Sequence, residues 1–357
     1  MIKQLTVRNF TLFRKETFSF GEKLNIIIGE NGNGKTQILK LLYALTKSAC
    51  SPKAGLSSGK AGKAPAKNIV SSLTIAENLG RVFNADMADL QSYGVGDAEL
   101  ACVMHYVTEH GQESGIGFAN SEEKNRDFST FAQSADVELY PLSLPPVYLP
   151  AREVLSIYPH FLSLSEKYAL PYDGTYQDAI KLLGLPYLNE VPVAFRKIVD
   201  LLKKNLGGEI YLDPQAGRFY MKFKDGHKAD IDMTAEGWRK LGTLMQLLRV
   251  GALEKGSVLF WDEPEANLNP RLIRLICDVI VALGKIGIQV FLTTHSLFLV
   301  NEIEIVTAKK KMTKGVRYFN FMPKGKVEQG DAFSALKKVV LLDESMNQAD
   351  NYLSAEV

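Results

Sequence analysis

The chain has 357 residues, enough for one large domain with insertions or for two ordinary ones. Its 46% hydrophobic and 23% charged residues are those of a globular protein with a real core; a formal net charge of +2 excludes a whole-surface field for nucleic acid but not a local basic patch. Cys50, Cys102 and Cys277 are widely spaced, which excludes a disulfide framework or a cysteine metal cluster and points to a reducing compartment. The opening MIKQLTVRNF lacks the apolar core of a signal peptide. The most apolar stretch, 272 to 292, is broken by Asp278, Lys285 and two glycines, short of the roughly 18 residues of a membrane span. A cytoplasmic protein without membrane contact is the expectation.

In chain order, Lys3 to Arg8 and Lys15 to Phe20 read as two strands joined by a short turn. KLNIIIG, ending at Gly29, is a continuous apolar run and reads as a third, fully buried strand. TQILKLLYALTK follows with Ile38, Leu41, Leu42 and Leu45 on one helical face. From Ser48 to Lys67 the sequence turns to Ala, Gly, Ser, Pro and Lys, a flexible loop. Its Lys53, Lys60, Lys63 and Lys67 read most simply as a solvated linker rather than a nucleic-acid contact. Leu73 to Asn84 reads as a helix, 98–120 as a hairpin, and VYLPAR as a strand ending at Pro150. Glu153 to Leu206 has helical spacing interrupted by prolines at 159, 171, 186 and 192. Three short strands follow over 208–233, with DPQAG and KDGH as their turns. A helix from Thr234 to about Leu253, a strand over 257–261, a helix from Pro270 to about Leu283 and a strand over 288–294 complete the pattern. Asn269 and Pro270 together mark a helix start.

GENGNGKT, Gly29 to Thr36, fits G-x-x-x-x-G-K-[ST] between a predicted strand and a predicted helix, the context that the phosphate-binding P-loop requires. Glycines let the backbone wrap a phosphate, and the helix start adds its N–H groups and dipole. Asn31, Gly32, Asn33, Gly34, Lys35, Thr36 and Gln37 are therefore candidate nucleotide contacts. Lys35 reaches the β- and γ-phosphates in such a loop, while the Thr36 hydroxyl holds Mg²⁺. In SVLFWDEPEANLNP, four apolar residues with no alternation read as a strand buried on both faces, and it ends in two acids. Asp262 then stands where a P-loop protein needs a second Mg²⁺ ligand, and Glu263 where a general base would polarise water. ATP and Mg²⁺ are the implied cofactors.

With these motifs in this order, the chain resembles ABC-type ATPases of the RecF, SMC and OLD (overcoming lysogenization defect) group, among the small AAA-family ATPases of bacterial and phage-defence operons. The likeness covers Met1 to Lys47 and Glu209 to about Gly330, with a weaker match at VYLPARE. LTVRNFTLF resembles the group's opening strand and turn, with Thr11 where many members carry a basic residue. TAEGWRK, Thr234 to Lys240, resembles a degenerate signature motif, and Glu236 and Gly237 would cap nucleotide held by another protomer. PEANLNP resembles the D-loop, which brings in Asn267; Asn269 replaces a histidine there. His295 in LTTHS resembles the switch histidine, and Arg152 falls where transporter relatives carry a lid-loop glutamine.

The resemblance implies an α/β fold, a P-loop NTPase of ABC-ATPase type. A mixed central sheet would be flanked by helices, with an N-terminal antiparallel β subdomain and an inserted α-rich region. Residues 1–47 and 207–335 would form the ATPase core and 336–357 a C-terminal tail. The insert, 48–206, would hold the loop 48–67, the hairpin, a lid strand at 147–152 and a helical subdomain at 153–206. It further implies ATP hydrolysis in a dimer or higher assembly of self, with Glu263, Lys35 and His295 catalytic and Thr36 and Asp262 on the metal. A separately encoded effector such as a nuclease would be controlled, in anti-phage defence. The alternative is a RecF-like DNA-binding repair ATPase, for which Lys309, Lys310 and Lys311 form a short basic cluster. A transporter subunit fits the degenerate signature poorly, and a non-hydrolysing nucleotide sensor fits poorly with intact Lys35, Asp262 and Glu263.

Overall fold

The computed structural model describes residues 1–50, 72–91, 100–108, 110–119 and 141–355. The chain begins with β1 (Ile2–Phe10), β2 (Phe13–Ser19) and β3 (Leu24–Gly29), then α1 (Lys35–Ala49) and α2 (Ser72–Phe83). The hairpin strands β4 (Ala101–Val107) and β5 (Glu113–Ala119) precede β6 (Val147–Leu149) and the helices α3 (Phe161–Lys167), α4 (Gly174–Leu183) and α5 (Val193–Leu206). A meander of β7 (Gly208–Asp213), β8 (Arg218–Phe223) and β9 (Lys228–Asp230) leads to α6 (Glu236–Arg249). β10 (Val258–Asp262), α7 (Pro270–Ile286), β11 (Gln289–Thr294) and α8 (Leu297–Lys309) follow. The last elements are β12 (Val316–Met322), β13 (Lys326–Gly330) and α9 (Val340–Ser354).

Six strands make the central sheet in the order β13-β12-β3-β11-β10-β6. All pairs are parallel except β12 with β13. Both faces are covered, and successive residues of each strand enter different cores. Ile26, Ile28, Leu259, Trp261, Val290 and Leu292 pack into one, with α3 to α8. Ile27, Phe260, Phe291, Phe319 and Phe321 pack into the other, with α1, α2 and the N-terminal sheet. That is why these strands show no polar alternation. β3, β10 and β11 end together at the carboxyl edge, where the connections to α1, α7 and α8 begin.

Three expectations are redrawn. The hairpin belongs to the N-terminal antiparallel sheet, ordered β2-β1-β4-β5, because β4 pairs along β1. The strand expected over 147–152 is confined to Val147–Leu149 and lies in the central sheet against β10, not in an insert. The described parts of 48–206 thus belong to different layers, and α3, α4 and α5 pack into the same core as the central sheet and α6. Ser48 and Ala49 continue α1, while residues 51–71, with Lys53, Lys60, Lys63 and Lys67, lie outside the described residues. α8, β12 and β13 have no counterpart among the sequence-predicted elements. α8 carries apolar residues on too many sides to show a clean stripe, and β12 reads as one more aromatic run. In the tail, α9 has no buried residue.

Candidate functional site

The P-loop lies between β3 and α1. At Gly29 an added Cβ would stand 2.4 Å from the Phe321 carbonyl oxygen, so only glycine lets β3 and β12 meet this closely. Gly32 and Gly34 take φ of +82° and +84°, left-handed values that glycine adopts without steric cost. Asn33 pins the loop to β12, donating from Nδ2 to the Phe321 carbonyl at 3.0 Å. α1 starts without a side-chain hydrogen bond at its cap, which leaves its first N–H groups available to an anion. Asn31 is exposed on the loop, and Gln37 lies in the first turn of α1 with Oε1 buried and unpartnered.

Lys35 is buried and donates from Nζ to the carbonyls of Gly29 at 2.7 Å and Glu30 at 2.9 Å. Burial pulls its pKa down, and the charges of Glu263, Asp262 and Glu265 push it back up. Facing it from the end of β10, Asp262 receives hydrogen bonds from Thr36 Oγ1 at 3.1 Å to each carboxylate oxygen. Thr293 Oγ1 also donates to Asp262, and the buried Tyr148 hydroxyl lies 3.5 Å from Oδ2. Burial raises the Asp262 carboxyl, while the Thr293 and Thr36 hydroxyls oppose that rise.

Glu263 has φ +44°, a conformation uncommon for a non-glycine residue that the surrounding chain must enforce. Its N–H reaches the Thr293 carbonyl and Thr293 Oγ1, each at 3.2 Å. Behind it, the buried Lys240 of α6 donates from Nζ to the carbonyls of Glu263 at 2.9 Å and Ala266 at 3.1 Å. Desolvation lowers the Lys240 pKa to about 8 despite nearby Glu265, Glu236 and Glu263. His295 Nδ1 lies 3.2 Å from Glu263 Oε1 and 4.0 Å from Glu265 Oε1. Glu265 itself is buried and accepts from Thr294 Oγ1.

The sequence-predicted residues fall into two groups. Lys35, Thr36, Asp262, Glu263 and His295 form one cluster linked by direct hydrogen bonds and charge. Glu236, Gly237 and Asn267 form the other, with Asn267 Nδ2 donating to Glu236 Oε1 at 2.7 Å on an exposed surface. Gly237 is packed under Leu268, whose Cδ2 would be 2.8 Å from an added Cβ. Arg152 is exposed at a small cavity shared with Lys240 and Trp261, next to the buried Glu153–Arg239 ion pair. Sequence reasoning missed Lys240, Glu265, Thr293, Thr294 and Tyr148. A second acid three residues after Asp262 was visible; the partners of the others lie far along the chain, on β10 or in the turn after it.

A model of the family described as "AAA domain, putative AbiEii toxin, Type IV TA system" matches residues 121–301, just over half of the 357 residues. The chain belongs to this AAA-domain family. A second model, described as "AAA ATPase domain", matches residues 1–133. The "DNA replication and repair protein RecF" of Geobacillus kaustophilus (strain HTA426) is 41% identical over 44 residues, 12% of each chain. The RecF of Bacillus cereus (strain B4264) is 39% identical over 44 residues, again 12% of each. This AAA-domain protein thus spans about 12% of the length of the curated relatives it matches. Among solved structures it is similar to the "SMC head domain from Thermotoga maritima", with a TM-score of 0.48 at 12% identity over 92% of this chain and 98% of that one. An Smc head domain from Pyrococcus furiosus with an extended coiled coil, "bound to the C-terminal domain of ScpA", gives 0.47 at 13% identity over 98% and 99%.

The motif order, the sheet and the family matches make this AAA-domain protein an ABC-type ATPase of the RecF, SMC and OLD group. Among its described residues no helix is long and apolar enough to cross a membrane. No group of three His, Cys, Asp or Glu side chains forms a metal site among them.

Proposed function

We propose that this chain is a Mg²⁺-dependent ATP hydrolase that works as a switch. Two copies close on ATP held between the P-loop of one and the α6 start of the other, and the cycle controls a separately encoded effector in anti-phage defence. The observation that carries the reading is the convergence of the buried Lys35, the Thr36–Asp262 pair and the Glu263–His295 pair at one sheet edge.

The residues present fit both ligands. The glycine conformations at 32 and 34, the uncapped α1 start and the desolvated Lys35 form a cradle for phosphate. When bound, Mg-ATP supplies the phosphoanhydride bond and a cation that offsets its charge. Lys35 exchanges its two loop carbonyls for phosphate oxygens, and Thr36 and Asp262 hold the cation. Glu263 takes the proton of the attacking water at its carboxylate, which His295 holds in place before the step. Glu236 and Gly237 of the second copy face the far side of the phosphates. ATP favours closure because its γ-phosphate touches both chains, a differential contact that ADP lacks.

The test is light scattering coupled to size exclusion, with hydrolysis assays, on wild type and Glu263→Gln with Mg-ATP, Mg-ADP or neither. The expected outcome is hydrolysis lowered by ~10²–10⁴-fold in the variant, together with an ATP-dependent assembly that persists. Hydrolysis that survives Glu263→Gln would refute the assigned base; assembly indifferent to nucleotide would refute the closing dimer.

A RecF-like DNA-binding ATPase is the second reading, supported by the 41% identity to RecF over 44 residues and by Lys309 and Lys311, exposed at the end of α8. Lys310 is tied to Asp278. It requires duplex binding that weakens steeply with salt, and a flat salt response would remove it.

A further inference from the structure

We propose that Glu265 is a positioning residue for hydrolysis: its buried carboxyl is the second acceptor to which His295 transfers its hydrogen bond, freeing Glu263 to take a proton from water. This rests on the reading of Glu263 as the base. In the present geometry His295 Nδ1 is 3.2 Å from Glu263 Oε1 and 4.0 Å from Glu265 Oε1. A movement of Nδ1 by about an ångström toward Glu265 brings Oε1 within hydrogen-bond distance. A base whose oxygen is engaged by imidazole is a poorer acceptor for water, so the exchange matters to the chemistry.

The two carboxylates are built for different tasks. The Glu263 side chain is 26% exposed, whereas that of Glu265 is 5% exposed. Glu263 can reach water; Glu265 cannot. Thr294 Oγ1 holds Glu265 Oε1, and Glu265 Oε2 is buried with no hydrogen-bond partner. The oxygen nearer His295, Oε1, accepts from Thr294 and keeps a second lone pair for a donor that arrives during the cycle. Around it the backbone is fixed. Lys240 grips the carbonyls of Glu263 and Ala266, Ala266 N–H returns to the Glu263 carbonyl at 3.1 Å, and Leu268 N–H reaches the Glu265 carbonyl at 3.0 Å. The Glu263 and His295 side chains are the more exposed members of this set, so movement falls to them. Burial raises the Glu265 carboxyl, and the Thr294 hydroxyl opposes that rise.

A purely structural Glu265, fastening the turn, predicts a different result in a double-mutant cycle. The experiment measures steady-state Mg-ATP hydrolysis by the full chain as wild type, Glu265→Gln, His295→Ala, the double variant and Glu263→Gln, with melting curves as the folding control. Glu265→Gln is expected to lower kcat at least tenfold with KM changed less than twofold. In the His295→Ala background the same substitution should change kcat less than twofold. An equal loss in both backgrounds, or no loss in either, overturns the proposal. Independently of turnover, the imidazole ¹⁵N shifts of His295 are read in ATP-loaded Glu263→Gln and in Glu263→Gln/Glu265→Gln. The second substitution should move them, and unchanged shifts overturn the proposal. If instead Glu263→Gln hydrolyses ATP normally, the underlying reading of the base has failed, a result the cycle with His295 does not mimic.

Discussion

The turn after β10 and the first turn of α6 are joined through Lys240, yet the acids of one are held by neighbouring strands and the other faces outward. In the turn, Asp262 has three hydroxyl neighbours, Glu263 has its N–H and carbonyl engaged, and Glu265 is held by Thr294. At α6 the cap is Ala235, which offers no side-chain hydrogen bond, and the polar contact is the exposed Asn267–Glu236 pair. Met233, just ahead of it, is 83% exposed. The difference teaches where precision is built in. The acids of the turn are held by hydroxyls of the neighbouring strand, whereas the α6 start has no side-chain cap and its Trp238 and Arg239 N–H groups return to the Ala235 carbonyl.

The largest expected effect breaks the comparison outright. Lys35→Ala removes the cation of one half-site, and Gly237→Asp places a carboxylate at the other. Each alone should lose hydrolysis by more than ~10²-fold, because a phosphate contact is removed or opposed. Mixed in equal amounts, they should recover about a quarter of the wild-type sites, since half the dimers are mixed and one site in each is free of lesions. An inactive mixture of well-folded proteins would mean that α6 does not serve the P-loop of a second copy.

Lys240 sharpens the comparison through pH. Its folded pKa, about 8, lies below its ordinary value of 10.5, so the unfolded chain holds the proton more tightly in that interval. Its contribution should therefore penalise folding fully below about pH 8 and be relieved as pH rises toward 10.5. Urea midpoints of wild type, taken relative to Lys240→Met, should rise across that window. A constant difference would show that Lys240 titrates as an ordinary lysine.

Smaller effects test the scaffold. Asn269 caps α7 by accepting from the Leu272 N–H at 3.0 Å, so Asn269→Ala should cost about 1 kcal/mol in a denaturant titration. Asn267→Ala removes an exposed hydrogen bond and should lower stability by less than about 1 kcal/mol. A larger change in nucleotide-dependent assembly than in stability would assign Asn267 to the surface between copies.

Much of the fold was legible because its strands and helices differ in period. Leu24–Gly29, Val258–Asp262 and Gln289–Thr294 are mostly apolar and buried along their whole length, and a strand covered on both faces has no reason to alternate. The P-loop was legible because its glycines answer to backbone geometry that no other residue meets cheaply. Asn269 followed by Pro270 marked α7 for the same local reason. The hairpin β4–β5 was visible as a hairpin, but its partner β1 lies some hundred residues earlier, and pairing at that distance leaves no local trace.

The sequence by itself determined which residues could cradle phosphate, which strand would end in acids and where α7 starts, since each depends on neighbours along the chain. Only the tertiary structure decided that Thr293 and Thr294 hold Asp262 and Glu265, that Lys240 braces the turn bearing Glu263, and that Val147–Leu149 completes the central sheet. Those are contacts between residues 23 to more than 100 positions apart. Burial then makes them count, because a carboxylate or ammonium taken out of water must find its partner wherever the fold brings one.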